Sequence, residues 1–296
     1  MKPTSKFASL PGEEGGLAHA LLIQCKSTLP IVSLPTSPLG PGVSPVEIHY
    51  RDEGEGAPIV LLHGGWGYGL NPFNRQQEKL RDEFRVICPD RSGYGGSTRL
   101  NNGFSTDFHY RAAAETLSLL DALGIERAFF WGHSDGAVIA AIIGFIAPER
   151  VRGLVLEAFH YFRMKPGSRE FFETLASQPE ALGAELCGRF ALEFGEKNWR
   201  ELITSHAKVW SDIAFESSAP ADDLYGGRLS EVVAPTLIIH GRLDPRTEPG
   251  ELEAVGAQLQ HAEMQLLDSA GHSPHSEAAF ADLATRLAKD FLLRHS

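Results

Sequence analysis

Cysteine is scarce in this chain of 296 residues, with only Cys25, Cys88 and Cys187 present. They are widely spaced and odd in number and form no C-x-x-C pair, so they offer no disulfide framework and fit a reducing, cytoplasmic compartment. Cys88 stands in an apolar run and reads as a buried structural thiol. Positive charge is also in deficit: 27 Lys and Arg face 38 Asp and Glu, a net charge of −11. That balance argues against a nucleic-acid partner, which requires a basic patch to release phosphate counterions. Long apolar runs are missing too. The longest, residues 137–147, falls far short of the roughly 20 that span a bilayer, so no membrane partner is expected. Residues 17–25 form a short apolar run behind Glu13 and Glu14 and are interrupted by His19, whereas a signal peptide wants a basic flank and a longer core. No P-loop string occurs. Gly65-Trp66-Gly67 lacks the third glycine of a dinucleotide fingerprint, because Leu70 stands in its place. No His, Cys, Asp and Glu cluster has metal-ligand spacing. Neither metal nor cofactor is therefore expected.

Hydrophobic residues make up 43% of the chain and charged ones 22%, as in an ordinary globular protein. Residues 1–45 are rich in Pro, Gly and Ser and read as an N-terminal extension with one strand near 29–34. Short apolar runs then recur at 46–50, 59–62, 84–88, 128–131, 151–156, 236–239 and 264–267. Several are apolar at nearly every position, as strands buried on both faces of a parallel sheet are. Helical spacing fills the intervals at 76–84, 106–123, 135–146, 250–260 and 277–294. The alternation predicts an α/β protein with an open sheet covered on both sides. It breaks once. From 159 to 230 no strand run occurs, and helical segments at 168–177 and 198–210 predict a helical cap inserted into a core of 46–158 and 231–296. Two separate domains are the alternative reading. The cap would lie over the strand ends, where ligands bind in such folds.

Gly132-His133-Ser134-Asp135-Gly136 carries the strongest chemical signal. G-x-S-x-G strings arise by chance, but here an apolar strand runs directly in and a helical run directly out. A sharp strand–turn–helix bend of this kind stands a serine hydroxyl clear of the backbone. Serine is a poor nucleophile until a base takes its proton. His272, in the loop after the last strand, is the expected base, with His275 as competitor. Asp244, just beyond the 236–239 strand, is the expected acid, with Glu157 as rival. The N–H of Asp135 would hold a developing oxyanion, joined by that of Gly65 or Trp66 in the His63-Gly64-Gly65-Trp66-Gly67 loop. Phe159, Tyr161 and Phe162 open the cap and are expected to line a substrate pocket.

Taken in order, His63–Gly67, the run Asp90-Arg91-Ser92-Gly93-Tyr94-Gly95-Gly96-Ser97, the serine bend, Asp244 and Gly271-His272 resemble the α/β-hydrolase superfamily over roughly residues 45 to 294. One departure is Ser92, where members usually carry the arginine that braces the neighbouring loop. A serine nucleophile, and Trp66 where epoxide hydrolases carry proline, separate the chain from the aspartate-using epoxide hydrolases and haloalkane dehalogenases. Ser134-Asp135-Gly136, Thr106-Asp107-Phe108, Ile239-His240-Gly241 and His272 to His275 resemble most closely the superfamily's amino-acid-ester hydrolases. There the aspartate after the nucleophile binds the substrate α-ammonium, which the resemblance assigns to Asp135; capping its helix is that residue's alternative role. The expectation is a cytoplasmic serine esterase, monomer or homodimer, acting on a small-molecule ester. A carbon–carbon hydrolase of diketone ring-cleavage products, or a non-catalytic binding protein on this scaffold, are the alternatives.

Overall fold

In the computed structural model, which describes residues 29–39, 43–219 and 221–296, the continuous apolar runs become strands covered on both faces. The 17–25 run and Cys25 lie outside the described residues. The strands are β1 (Ile31–Leu34), β2 (Val46–Glu53), β3 (Ala57–Leu62), β4 (Phe84–Pro89), β5 (Ala128–His133), β6 (Val151–Glu157), β7 (Thr236–Gly241) and β8 (Glu263–Leu267). They form one sheet in the order β1-β2-β4-β3-β5-β6-β7-β8. β1 and β2 are antiparallel to their neighbours and the remaining pairings are parallel. Successive side chains point to opposite faces of a strand. Along β3, Val60 and Leu62 therefore enter one hydrophobic cluster while Ile59 and Leu61 enter another.

The helices are α1 (Asn74–Leu80), α2 (Phe108–Ala122), α3 (Asp135–Ile146), α4 (Arg169–Ser177), α5 (Ala184–Phe194), α6 (Asn198–Phe215), α7 (Glu251–Gln258) and α8 (Ala281–Arg294). α2, α3 and α7 supply the first cluster, and α1 and α8 the second. α3 is apolar around its whole circumference and buried from Asp135 to Phe145, as a helix covered on every side must be. Among the described residues no helix is long and apolar enough to cross a membrane.

The sheet begins inside the stretch read as an extension. Ile31 pairs with His49 in β1, and further on Leu39 enters the core while Ser37 hydrogen-bonds the buried Glu115. The last helix begins at Ala281 rather than 277, because the Glu277 carboxylate turns back to accept the N–H groups of Gly271 and Ser273. The segment between β6 and β7 leaves and rejoins neighbouring strands of one sheet, with Leu154 opposite Thr236. It is helical as expected, with α5 as a helix that the sequence pattern does not mark. Phe190, Phe194, Trp199 and Ile203 give it a small core of its own, packed on Tyr94.

Candidate active site

The carboxyl ends of the central parallel strands deliver their loops to one edge of the sheet, the usual ligand edge of such folds. The Ser134 bend joins β5 to α3 there, with φ 54° and ψ −119°. A non-glycine residue in this region costs about 1–3 kcal/mol and persists only where its surroundings enforce it. The flanking glycines allow it: a Cβ on Gly132 would collide with the Gly136 carbonyl, and one on Gly136 with the Leu62 carbonyl.

From the bend, Ser134 Oγ donates to His272 Nε2 at 3.1 Å, and His272 Nδ1 donates to Asp244 Oδ2 at 2.8 Å. Burial would raise the Asp244 carboxyl, but the facing His272 outweighs it and holds the group well below the usual carboxylate range. The two rivals meet each other instead. His275 donates Nδ1 to Glu157 at 2.7 Å, its backbone N–H reaches the same oxygen at 2.9 Å, and Trp131 Nε1 takes the other at 3.0 Å. His133 packs its ring 4.8 Å from that of His275 and donates Nε2 to the His272 carbonyl at 3.0 Å; burial and its neighbours His275 and His272 push it down to about 3. His133, Glu157 and His275 bring ligand-type atoms within 4.8 Å of one another. The shared Glu157 oxygen is already taken by the two His275 donors, which makes the cluster a hydrogen-bond network more than an open donor set.

Opposite the bend, the 63–67 loop is braced by Arg91, whose guanidinium donates to the carbonyls of His63 at 2.6 Å and Gly64 at 3.1 Å. The bracing that members usually draw from an arginine at the Ser92 position is thus made one residue earlier. Ser92 instead turns to the buried Glu115 carboxylate, which its N–H and hydroxyl satisfy at 3.0 and 2.6 Å. Tyr94 donates its hydroxyl to the Gly65 carbonyl at 3.0 Å. The Asp135 N–H opens α3, where helix geometry supplies no acceptor one turn back. Gly65 and Trp66 face the same cavity as Ser134.

That cavity encloses about 440 Å³ of empty space, its mouth included. Trp66, Phe171, Phe172 and Trp210 are its aromatic walls, and Lys165 and Arg246 its cations. Phe159, Tyr161 and Phe162 do not line it, contrary to the sequence expectation. Phe159 is buried and stacks on Tyr225 at 5.5 Å, Tyr161 joins the same cluster, and Phe162 bridges to Asp223. The buried Glu251 explains the placement. One of its oxygens accepts the N–H groups of Tyr161 and Phe162 and the Lys165 ammonium, drawing the chain inward. His160, which sequence reasoning passed over, takes their place at the wall. Its Nε2 lies 3.2 Å from Ser134 Oγ, its Nδ1 has no partner, and its ring stacks on His272. Burial, with Lys165 and His272 nearby, pushes its basicity far down, so it stays neutral. Asp135 also faces the cavity, but its oxygens are engaged by His109 Nε2 at 3.2 Å and His206 Nε2 at 2.6 Å. Burial would raise this carboxyl, and His206 and His109 more than reverse that. Asp135 thereby ties the cap helix α6 and the core helix α2 to the serine bend.

The sheet order, the serine bend and the Ser–His–Asp hydrogen-bond chain together define an α/β-hydrolase architecture. The chain matches the alpha/beta hydrolase family over residues 59–286 and belongs to it. It is 27% identical over 255 residues to serine hydrolase BPHL of Mus musculus, covering 84% of each chain. It is 28% identical over 284 residues to a 2-hydroxy-6-oxononadienedioate/2-hydroxy-6-oxononatrienedioate hydrolase of Paraburkholderia xenovorans, covering 85% of this chain and 92% of that one. A solved meta-cleavage product hydrolase of Pseudomonas fluorescens shares the fold with a TM-score of 0.65 at 24% identity, covering 85% and 96%.

Proposed function

We propose that the protein is a serine hydrolase that cleaves carboxylic esters through an acyl-enzyme. The observation that carries this reading is the hydrogen-bond chain from Ser134 Oγ through His272 to the buried Asp244, at 3.1 and 2.8 Å. Ser134 Oγ bonds to the ester carbonyl carbon as its proton passes to His272 Nε2. Asp244 holds the imidazole in the tautomer that can accept that proton, and stabilises the cation it becomes. The N–H groups of Asp135 and of Gly65 or Trp66 receive the oxyanion, a contribution of about 3–4 kcal/mol per donor in such sites. Collapse breaks the ester C–O bond, and the leaving alkoxide takes the proton from His272. Water then adds to the acyl-enzyme with His272 again as base, releasing the acid and restoring Ser134. His160 Nε2–H donates to the serine oxygen from the other side.

Asp135 as an α-ammonium site is weakened by the two histidines that already occupy its oxygens. A cation entering there would displace one of them, and it would meet the Arg246 guanidinium on the cavity wall. Carbon–carbon cleavage by the same three residues is the second reading, favoured by the P. xenovorans relative. The test is hydrolysis of one L-amino-acid ester and its N-acetylated counterpart, with Ser134→Ala alongside. Turnover with no preference for the free amine, lost in the variant, is expected. A clear preference for the free amine would restore the ammonium role. Turnover of a dienoate diketone with none of any ester would replace ester cleavage by carbon–carbon cleavage.

A further inference from the structure

We infer that Arg246 binds a carboxylate carried by the substrate, so that the preferred ester is one bearing an anionic group, such as the half-ester of a dicarboxylic acid. This rests on the serine-hydrolase reading above and adds the charge of the molecule that reading leaves open.

Most charged side chains around the cavity are already paired within the protein. Asp135 is held by His109 and His206. Asp244 is held by His272. The Lys165 ammonium rests on the fully buried Glu251, so its charge is spent within the protein. Arg246 is different. Among the described residues no carboxylate lies within ion-pair distance of its guanidinium, and Asp244 and Glu248 act on it only through space. Among the described residues its side-chain N–H groups have no acceptor, while one face of the group lies 3.6 Å from the centre of the Phe171 ring. An aromatic face attracts a cation and orients it, yet leaves the in-plane N–H groups free. A guanidinium keeps its charge even when partly desolvated, and its planar fork matches a carboxylate in two parallel hydrogen bonds.

The backbone holds this fork in place beside the reacting groups. The Arg246 N–H donates to Asp244 Oδ1 at 2.8 Å, and Lys165 Nζ donates to the Arg246 carbonyl at 3.2 Å. Arg246 is thus anchored at one end to the triad acid and at the other to the first turn of the cap. Ser134, His272 and Arg246 face one cavity. A substrate whose carbonyl sits at Ser134 can therefore reach the guanidinium with a second, charged end. A neutral ester leaves the partly desolvated cation unpaired.

The test compares mono-p-nitrophenyl adipate with its methyl-capped, uncharged counterpart, each corrected for spontaneous hydrolysis. The wild type is expected to favour the charged ester in kcat/KM by roughly 10- to 100-fold, the contribution of a charge-assisted hydrogen-bonded pair, with most of the difference in KM. Arg246→Leu brings the ratio to about one, Arg246→Lys retains part of it, and raising the salt concentration narrows it. A wild-type ratio near one, or a ratio unchanged in Arg246→Leu, would overturn the inference while leaving ester hydrolysis standing. Calorimetric titration of adipate into Ser134→Ala, with and without Arg246→Leu, reads the site independently of turnover. Binding that depends on Arg246 supports the site even if no ester is cleaved, an outcome in which the serine-hydrolase reading alone fails. No adipate binding to Ser134→Ala overturns it.

Discussion

Two carboxylate–imidazole pairs lie side by side, Asp244 with His272 and Glu157 with His275, and of the two only the first bonds the Ser134 hydroxyl. Removing one charge from each separates their roles. In Asp244→Asn the amide presents N–H groups to His272, which then accepts at Nδ1 and carries its proton on Nε2, the wrong tautomer to take the Ser134 proton. Loss of kcat on the order of 10,000-fold is expected, with the fold retained. In Glu157→Gln the new amide has one acceptor oxygen where two served. The Trp131 N–H at 3.0 Å and the two His275 donors cannot all be satisfied. One buried donor left unpaired costs about 1–3 kcal/mol, and a domain of this size loses roughly 2–4 °C of melting temperature per kcal/mol. The folded fraction should still turn over within about tenfold of wild type, because neither the Glu157 carboxylate nor the His275 ring bonds Ser134 Oγ, His272 or Asp244. Thermal unfolding and turnover of a p-nitrophenyl ester, measured on the same preparations, give both quantities. Full loss of turnover in Glu157→Gln with an unchanged melting temperature, beside an active Asp244→Asn, would refute this assignment and make Glu157 the acid.

His160→Gln should lower kcat by no more than about tenfold, since its unpartnered Nδ1 lacks a carboxylate to stabilise a cation, whereas His272→Gln should cost about 10,000-fold or more; equal losses would mean that both imidazoles carry the proton. Stability should fall on mild acidification. His63, His109, His133, His160 and His240 are all held below their ordinary 6.5, foremost by burial. Above 6.5 these groups are neutral in both states. Below it the unfolded chain takes up protons that the fold refuses, so each histidine removes up to about 1.4 kcal/mol per pH unit until its folded value is reached, about 3 for His133. A urea midpoint at pH 5.5 equal to or above that at pH 7.5 would contradict this.

What was legible in the sequence was what local chemistry encodes. Strands buried on both faces announce themselves as unbroken apolar runs, and the serine bend is marked by glycines that only close backbone approach demands. Asp244 and His272 were readable because loop order along such a sheet fixes which residues converge. The cavity wall was not readable, for a different physical reason. Phe159, Tyr161 and Phe162 sit in a non-periodic segment, where nothing in the pattern says which way a side chain turns. The direction of Tyr161 and Phe162 is set by Glu251, about ninety residues on, whose buried carboxylate collects their N–H groups. Asp135 carries the same lesson: its motif points to a free carboxylate, and His206, from the cap, supplies the partner that closes it at 2.6 Å. Arg246 shows the converse. A lone arginine after an Asp-Pro turn has no sequence signature, and it gains meaning only when the acids around it are seen to be engaged elsewhere. Specificity in this chain is therefore a property of which charges remain unpaired after folding, and a motif read residue by residue cannot report that difference.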